Sequence, residues 1–197
     1  MYSIFLDENV TKLDKKVTRT SVCAVEVQDM EVIEKVQKLI TDIRSDKIRF
    51  AKVEKIHFSS LSEDQRARII EILSKLDVTV RTYVVYSYNV KETEAKIRAV
   101  RLTLENLRHI HKGKKINISI EHAAEYTKTE FKELLGTEEA NYLICDAFLH
   151  VFIGVLDNTS GSQGAQDRMY SLIREKIRLQ VFNYGGESVY LRRENRL

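Results

Sequence analysis

The segment Tyr142–Leu156, with the sequence YLICDAFLHVFIGVL, is apolar on every side of a helix. A helix with this pattern is enclosed by other parts of a fold, so we expect it to lie buried. The chain of 197 residues, 43% hydrophobic and 31% charged, is long enough to enclose it within one globular domain, or one domain with a small appendage. A core of that size needs no disulfide staples.

Two periodicities alternate along the rest of the chain. Residues rich in β-branched side chains, or apolar at every second position, predict strands at Tyr2–Leu6, Ser21–Gln28, Arg49–Phe58, Val78–Tyr88 and Ile116–Ile120. Apolar residues three and four apart predict helices at Met30–Ile43, from a cap at Ser60 or Ser62 to Leu76, at Lys91–His109, Thr129–Leu135, Glu138–Leu156 and Gln166–Val181. Strands alternating with helices predict an α/β fold with helices packed against a sheet.

The interior has one loop-like cluster of small polar residues, Asp157–Gly164. We therefore expect a main domain over residues 1–157 and a helical extension over residues 158–197 that packs on the same domain.

Composition excludes several classes of protein. No apolar run approaches the roughly 20 residues of a membrane span, and the opening residues carry an acidic pair where a signal peptide needs a basic region, so we expect a cytoplasmic protein. The two cysteines, Cys23 and Cys145, lie in apolar segments and predict neither a disulfide framework nor a zinc site. The net charge of +3 is too balanced for bulk polyelectrolyte binding but leaves room for a local basic groove.

Two adjacent carboxylates, Asp7 and Glu8, follow the apolar run at the start of the chain. Open α/β sheets bind ligands at the carboxyl ends of their strands, so this pair is a candidate site. In a strand the two side chains point to opposite faces, and at most one enters a shared site unless the strand ends there. A solvated turn is the alternative interpretation.

The apolar helix carries two polar residues, Asp146 and His150, four positions apart and so on one face. A buried carboxylate without a partner is costly, which favours a metal ion, a positive side chain or a histidine beside it. The alternative is a pair that satisfies itself inside the core.

Two further positions carry polar residues near strands. Glu121 ends the alternating strand Ile116–Ile120, where it is either a site residue or a solvated terminus. Glu54 and His57 are unusual in a short central strand, although a lone histidine there is more often structural than a ligand.

The phosphate loop, the dinucleotide-binding glycine motif, the serine-hydrolase elbow and the HExxH and CxxC motifs do not occur in the sequence. What remains is a set of carboxylates, Asp7, Glu8, Glu121 and Asp146. Hard oxygen ligands suit Mg²⁺ or Mn²⁺, ions that act on phosphate substrates.

Three short motifs resemble the bacterial and phage family called domain of unknown function 3800. They are Asp7-Glu8 after the first apolar run, the stretch Lys55–Leu61 (KIHFSSL), and Leu143–Ala147 (LICDA) in the late helix. Asp7 and Glu8 match the acidic pair of the family's first strand, Asp146 its late aspartate, and His57 the basic position of its middle motif. Asn9 stands where the family has Ser, and Lys55 where it has Glu.

The resemblance implies an RNase H-like mixed sheet with helices on its faces, and a divalent-metal-dependent nuclease or other phosphodiester-cleaving enzyme. Together with the carboxylates identified above, it predicts Asp7, Glu121 and Asp146 as ligands of Mg²⁺ or Mn²⁺, with Glu121 standing where RNase H-like folds more often have Asp. Glu8, His150 and His57 are further catalytic candidates. RNA or DNA would be the partner, and phage defence or mobile-element biology the setting. Candidate substrate contacts are the basic residues Lys112, Lys114, Lys115, Arg98, Arg101 and Arg108.

Two alternatives remain open at this point. The missing middle Glu favours a non-catalytic protein on the same scaffold that binds a protein or nucleic-acid partner. A subunit of a homo-oligomer is the other, because a strand such as Ser21–Gln28 would pair across a two-fold axis if it lay at a sheet edge.

Overall fold

A computed structural model describes residues 2–28, 31–45, 55–121, 123, 126, 131, 134–136, 139–157, 163–185 and 188–192. Its strands are β1 (Tyr2–Lys12), β2 (Val17–Val27), β3 (Val78–Tyr88), β4 (Ile116–Ile120), β5 (Leu135–Gly136), β6 (Ile177–Gly185) and β7 (Ser188–Arg192). Its helices are α1 (Glu31–Arg44), α2 (Glu63–Ser74), α3 (Glu92–Ile110), α4 (Glu139–Asp157) and α5 (Gln163–Ile173), with short 3-10 turns at Phe58–Ser60 and Arg174–Lys176.

The strands form one seven-stranded sheet in the order β5-β4-β1-β2-β3-β6-β7. The first three strands of the chain are antiparallel neighbours, while β4 lies parallel to β1 and β6 parallel to β3. The sheet is therefore mixed and has helices on both faces. This confirms the predicted α/β fold class.

The two faces of the sheet have separate cores. On the first, called here the α4 face, α4 packs on β1 and β2, and α1, α2 and α5 surround α4. On the second, the α3 face, α3 packs on β2 and β3. Side chains of β1 alternate between these cores, so Phe5 lies on the α4 face and Ile4 and Leu6 on the α3 face.

Local sequence signals located several elements well. β3 has the predicted bounds Val78–Tyr88, and α1, α3, β4 and α4 start and end within a residue or two of their predicted positions. Helix α2 begins after Ser62, whose side chain accepts a hydrogen bond from the backbone N–H of Gln65, while the Gln65 side chain accepts from the backbone N–H of Ser62. This capping box stabilises the first turn of the helix.

The first strand is longer than predicted. β1 continues through the acidic pair to Lys12 because it stays paired with β2 down to Lys12 and Thr18. Asp7 and Glu8 therefore lie in the middle of a strand rather than at its end. The prediction that the strand stops at Leu6 was wrong because this part of the hairpin is polar, and an apolar run does not mark its length.

Other predicted elements need correction. Within the predicted strand Arg49–Phe58, the described part from Lys55 onward is irregular and enters the 3-10 turn, and residues 49–54, including Glu54, lie outside the described residues. Leu135, predicted in a helix, lies in the short strand β5; much of the rest of that predicted helix is outside the described residues. β2 is an interior strand between β1 and β3, so it offers no edge for pairing across a two-fold axis.

The segment after residue 157 is not the helical extension that was expected. Helix α5 ends at Ile173, and the predicted helix as far as Val181 is wrong, because Ile177–Gly185 forms β6 and pairs with β3. This segment therefore packs one helix, α5, against α4, as expected, and also adds two strands, β6 and β7, to the central sheet.

Helix α4 is long and apolar enough, by length and composition, to cross a membrane, with a mean hydropathy of 1.4 in its most apolar window. The expectation that no segment of the chain reaches this length is thus corrected. In the structure 56% of that window is buried inside the protein, as in the core helix of a globular fold. The length of α4 is weak evidence for a membrane span.

Candidate functional site

The candidate site is a pocket of about 240 Å³ between the middle of β1, the end of β4 and helix α4, on the α4 face of the sheet. Three of its polar residues, Asp7, Glu121 and Asp146, were predicted as metal ligands from the sequence. Its lining consists of Asp7, Glu8, Asn9, Glu121, Tyr142, Asp146, Leu149, His150 and Ile153.

Asp7 reaches the pocket because of strand alternation. It follows the buried Phe5 by two residues, so its side chain points to the same α4 face. The side chain is 7% exposed, and its Oδ1 accepts a hydrogen bond from the backbone N–H of Glu8 at 2.9 Å.

Asp146 comes to the pocket on a stripe of helix α4. Tyr142, Asp146, His150 and Ile153 recur at three- and four-residue spacing and form one face of this otherwise buried helix. The Asp146 Oδ2 accepts a hydrogen bond from the backbone N–H of Phe58 at 2.6 Å. The predicted alternative, in which Asp146 and His150 simply satisfy each other, is therefore not the contact that holds this carboxylate.

Glu121 is placed by strand pairing. It directly follows β4, whose last residue Ile120 lies beside Leu6 in the parallel register with β1, so Glu121 stands next to Asp7. It is buried, and its Oε1 lies 3.2 Å from the Nζ of Lys55. This ion pair places one positive charge among the carboxylates.

The pocket is electrostatically strained. Burial raises the pKa of Asp7 well above its usual value, and the neighbouring carboxylates of Asp146, Glu8 and Glu121 raise it further. Burial also raises the pKa of Asp146, against the opposing effects of the Phe58 hydrogen bond and of His57 and His150. Such a group of buried acids favours either an added proton or a bound cation.

Glu8 lines the edge of the pocket, but its carboxylate is engaged on the α3 face. Its Oε1 lies 2.9 Å from the Nζ of Lys96 on α3 and accepts a hydrogen bond from the hydroxyl of Tyr126 at 2.8 Å. The alternation of β1 thus sends Asp7 to the pocket and Glu8 away from it. The structure does not bring the Glu8 carboxylate together with those of Asp146 and Glu121.

The two candidate histidines have different surroundings. His150 lines the pocket, and burial lowers its pKa, which favours the neutral imidazole at neutral pH. His57 is exposed and is not among the pocket-lining residues, but its Nδ1 lies 2.5 Å from the hydroxyl of Tyr142. It therefore acts on the pocket only through Tyr142 and through its charge.

Two residues at this site were not candidates from sequence. Tyr142 carries a hydroxyl beside the acids, and burial followed by the charges of Asp146, Asp7 and Glu121 raises its pKa. Its position four residues before Asp146 was the available signal. Lys55, which also lies 5.5 Å from the centre of the Tyr142 ring, had no such signal, because only the tertiary fold brings it to Glu121.

The donor chemistry of the pocket fits a hard divalent ion, since three carboxylates face one cavity. As the side chains stand, however, no three His, Cys, Asp or Glu residues in the described part of the chain are grouped closely enough to hold one ion. Rotation of the acidic side chains would be needed to close a ligand set.

The predicted basic contacts lie away from this pocket. Arg98, Arg101 and Arg108 are on α3, across the sheet from the acids, and Arg98 pairs with Glu94 on the same helix. Lys112, Lys114 and Lys115 lie in the turn before β4, which starts beside Tyr2 at the beginning of β1. Neither group borders the carboxylates.

No protein-family profile and no curated protein sequence matches this chain. Among solved structures, the chain is similar to a mutant of Bst-RNase HIII, with a TM-score of 0.41 and 14% sequence identity over 86% of this chain. The match covers 61% of that protein, so this chain spans about three fifths of its length.

Proposed function

We propose that this protein is a divalent-metal-dependent phosphodiester-cleaving enzyme of RNase H-like type that acts on RNA or DNA. The observation that supports it is the convergence of Asp7 from β1, Glu121 from the end of β4 and Asp146 from α4 on one pocket. These residues are 114 and 25 positions apart in sequence, and burying their like charges together is costly unless a cation offsets them.

Asp7, Glu121 and Asp146 would hold Mg²⁺ or Mn²⁺. A bound ion of this kind polarises a phosphate oxygen and lowers the pKa of bound water. His150, neutral at neutral pH, would take up the proton of the attacking water at a ring nitrogen. Lys55 would exchange its contact with Glu121 for a phosphate oxygen of the substrate, and His57 would orient the Tyr142 hydroxyl at the pocket wall.

The proposal extends to family and setting. Membership in the domain of unknown function 3800 family is supported by the contacts among the three motifs that resemble it, since Asp146 binds the backbone of the KIHFSSL stretch and shares a pocket with Asp7. A cytoplasmic role in phage defence or mobile-element biology follows from that membership and belongs to the same proposal.

A non-catalytic role on the same scaffold is the second candidate. Lys55, which stands where the family has a glutamate, already offsets the charge of Glu121. In the described part of the chain, the acids as placed do not form a ligand set. In this case the pocket would have lost its catalytic role, and the protein would act by binding a nucleic acid or a protein.

The deciding experiment is a calorimetric titration of Mn²⁺ and Mg²⁺ into the full chain, with cleavage of labelled single-stranded and duplex RNA and DNA followed in parallel. The variants are Asp7→Asn, Glu121→Gln and Asp146→Asn. Glu105→Gln, an exposed acid on α3, is the matched control.

Loss of both metal binding and cleavage in the three pocket variants, but not in the control, is the expected result. If the wild-type chain binds neither ion and cleaves nothing while the variants fold equally well, the acids are structural and the non-catalytic role takes over. Purifying Asp7→Asn in the same way controls for contaminating nucleases.

A further inference from the structure

The tip of the β1–β2 hairpin, residues Lys12–Lys16, carries three lysines on an exposed turn. Lys12, Lys15 and Lys16 are all exposed, and none forms an ion pair with another described residue within 4.0 Å. Their only acidic neighbour within the turn is Asp14. Its Oδ1 accepts hydrogen bonds from the backbone N–H groups of Lys16 at 2.6 Å and Val17 at 2.8 Å. The carboxylate therefore shapes the turn, and the three ammonium groups are presented to solvent.

This tip is held in place by three strands. The β1–β2 ladder runs without interruption to Lys12 and Thr18, and the N–H of Leu13 donates to the carbonyl of Val17 at 3.0 Å. The backbone N–H of Asn89, just after β3, donates to the carbonyl of Lys16 at 2.8 Å, and Asn89 adopts a left-handed backbone with φ of 55°. Binding to such an arm requires little ordering of the backbone.

The tip also carries apolar surface suited to nucleobases. Leu13 is 48% exposed, and Tyr88, which pairs in register with Val17, is 41% exposed. Tyr88 follows Val84 and Tyr86 at two-residue spacing, so it points to the α4 face, the face of the acidic pocket. An exposed tyrosine beside lysines is the combination that holds single-stranded nucleic acid, by stacking a base while the lysines contact phosphates.

The pocket extends toward this tip on one side and, along α4, toward Tyr142 on the other. From Asp7 its lining continues to Asn9 on β1 and to Ile153 on α4, in the direction of the hairpin. In the opposite direction β1 leads to Phe5, which is buried in the core under α4. The turn of Lys112, Lys114 and Lys115 lies past this buried stretch, before β4, which starts beside Tyr2.

We propose that the hairpin tip is a docking arm for the sugar-phosphate backbone of a single-stranded nucleic acid whose continuation enters the acidic pocket. This inference rests on the proposed function and adds the path of the substrate. Lys12 lies five residues beyond Asp7, about 17 Å at 3.3 Å per residue, a distance that a few nucleotides of an extended strand span. Its side chain has the parity of Glu8 and points to the α3 face, so Lys15 and Lys16 in the turn itself would make the contacts on the pocket side.

The test measures binding separately from cleavage. The triple variant Lys12→Ala/Lys15→Ala/Lys16→Ala is compared with Lys112→Ala/Lys114→Ala/Lys115→Ala, which removes the same charge from the other exposed turn. Fluorescence anisotropy with labelled single-stranded RNA and DNA of about 15 nucleotides, in EDTA and over a range of NaCl concentrations, gives the affinity and its salt slope. Circular dichroism confirms that both variants are folded.

The hairpin variant is expected to bind about tenfold more weakly, with a salt slope smaller by about 2, because each phosphate contact on a single strand contributes about 0.7. The other variant should bind like the wild type.

Equal losses in the two triple variants, or wild-type binding by the hairpin variant, would overturn the docking arm. So would the absence of any binding by the wild-type chain at low salt, or binding of the tip to phosphatidylserine vesicles in place of oligonucleotides. If the hairpin variant loses binding while the wild-type chain cleaves nothing with Mn²⁺, the docking arm stands and the proposed catalysis fails.

Discussion

Asp146 on helix α4 binds the backbone of Phe58, with 2.6 Å between its Oδ2 and the amide nitrogen. Together with the hydrogen bond from the Ile56 backbone N–H to the Glu139 Oε1 at 2.9 Å, this contact joins the stretch before α2 to the helix at the centre of the α4 face. It also brings His57 to the hydroxyl of Tyr142, one helical turn before Asp146. A pocket acid thus has a second task, since it fixes the segment that supplies Lys55 to Glu121.

Replacing Asp7 with Asn should stabilise the metal-free protein at pH 8, because it removes a carboxylate whose charge is disfavoured by burial and by its acidic neighbours. The folded-state pKa of Asp7 is raised, so ionisation opposes folding. The gain should be absent below the unfolded pKa of about 3.9 and should grow as the pH rises through the folded pKa. Urea unfolding in EDTA at several pH values measures it, with the exposed Asp77→Asn as control. A variant less stable than wild type at pH 8 would contradict the assigned strain.

His150 should titrate below its usual pKa of 6.5, because burial disfavours the imidazolium. The resulting change of stability with pH is opposite in direction to that caused by an acid with a raised pKa. The contribution of neutral His150 to stability is present above the unfolded pKa and is lost as the pH falls through the folded one. NMR titration of the imidazole signals gives the midpoint, and His150→Gln identifies the resonance. Lowering the pH from 7 to 5 should reduce the free energy of unfolding of the wild type more than that of this variant. Equal reductions would argue against a buried ring.

The ion pair of Arg19 and Asp157 should be one of the more costly contacts to break. The Arg19 side chain is 4% exposed, its two terminal nitrogens bind both Asp157 oxygens, and it also donates to the Thr11 hydroxyl at 3.1 Å. Asp157→Asn leaves a buried guanidinium without its charge partner and should cost about 3 kcal/mol. The exposed Glu71→Gln, which removes the Lys75 pair, should change stability little.

A double variant separates the pair from its parts. Arg19→Met/Asp157→Asn should lose less stability in urea than the sum of the two single changes, because no buried charge is left unpaired. Additive losses would show that the two side chains contribute independently.

Ser62→Ala should lower the free energy of unfolding by about 1 kcal/mol, the usual contribution of an N-cap side chain. Ser62 takes part in both hydrogen bonds of the capping box with Gln65 at the start of α2. Ser62→Asp should restore most of the loss, because aspartate caps equally well. Ser59→Ala, an exposed neighbour in the 3-10 turn, serves as the control, and a similar loss there would point to a general effect of the turn.

The sequence located elements whose signal is local. Two such signals lie within a few consecutive residues: the capping pattern at Ser62 and Gln65, and the β-branched run Val78–Tyr88. β6 was missed although Ile177, Leu179 and Val181 alternate, because the polar residues Arg178 and Gln180 between them also fit the helical pattern that precedes them. This segment adopts the strand conformation and not the helical one because it pairs with β3.

The site was predictable to the extent that burial follows from composition. An aspartate inside an apolar helix and another after an apolar strand were visible in the sequence, and both line the pocket. The separation of Asp7 from Glu8 followed from strand alternation once the strand was known to continue. The approach of Lys55 to Glu121 and of Lys96 to Glu8 depends on tertiary packing, which no local pattern encodes.

The order of the sheet bears on self-association. In the described part of the chain its outer strands are β5 and β7, two and five residues long, while the eleven-residue strands β1, β2 and β3 are all interior. Short outer strands present few free backbone groups for another chain to pair with. The long, β-branched strands that would be the strongest templates for aggregation are thus enclosed by their own sheet, and a misfolded state that detaches β6 would expose β3 to intermolecular pairing.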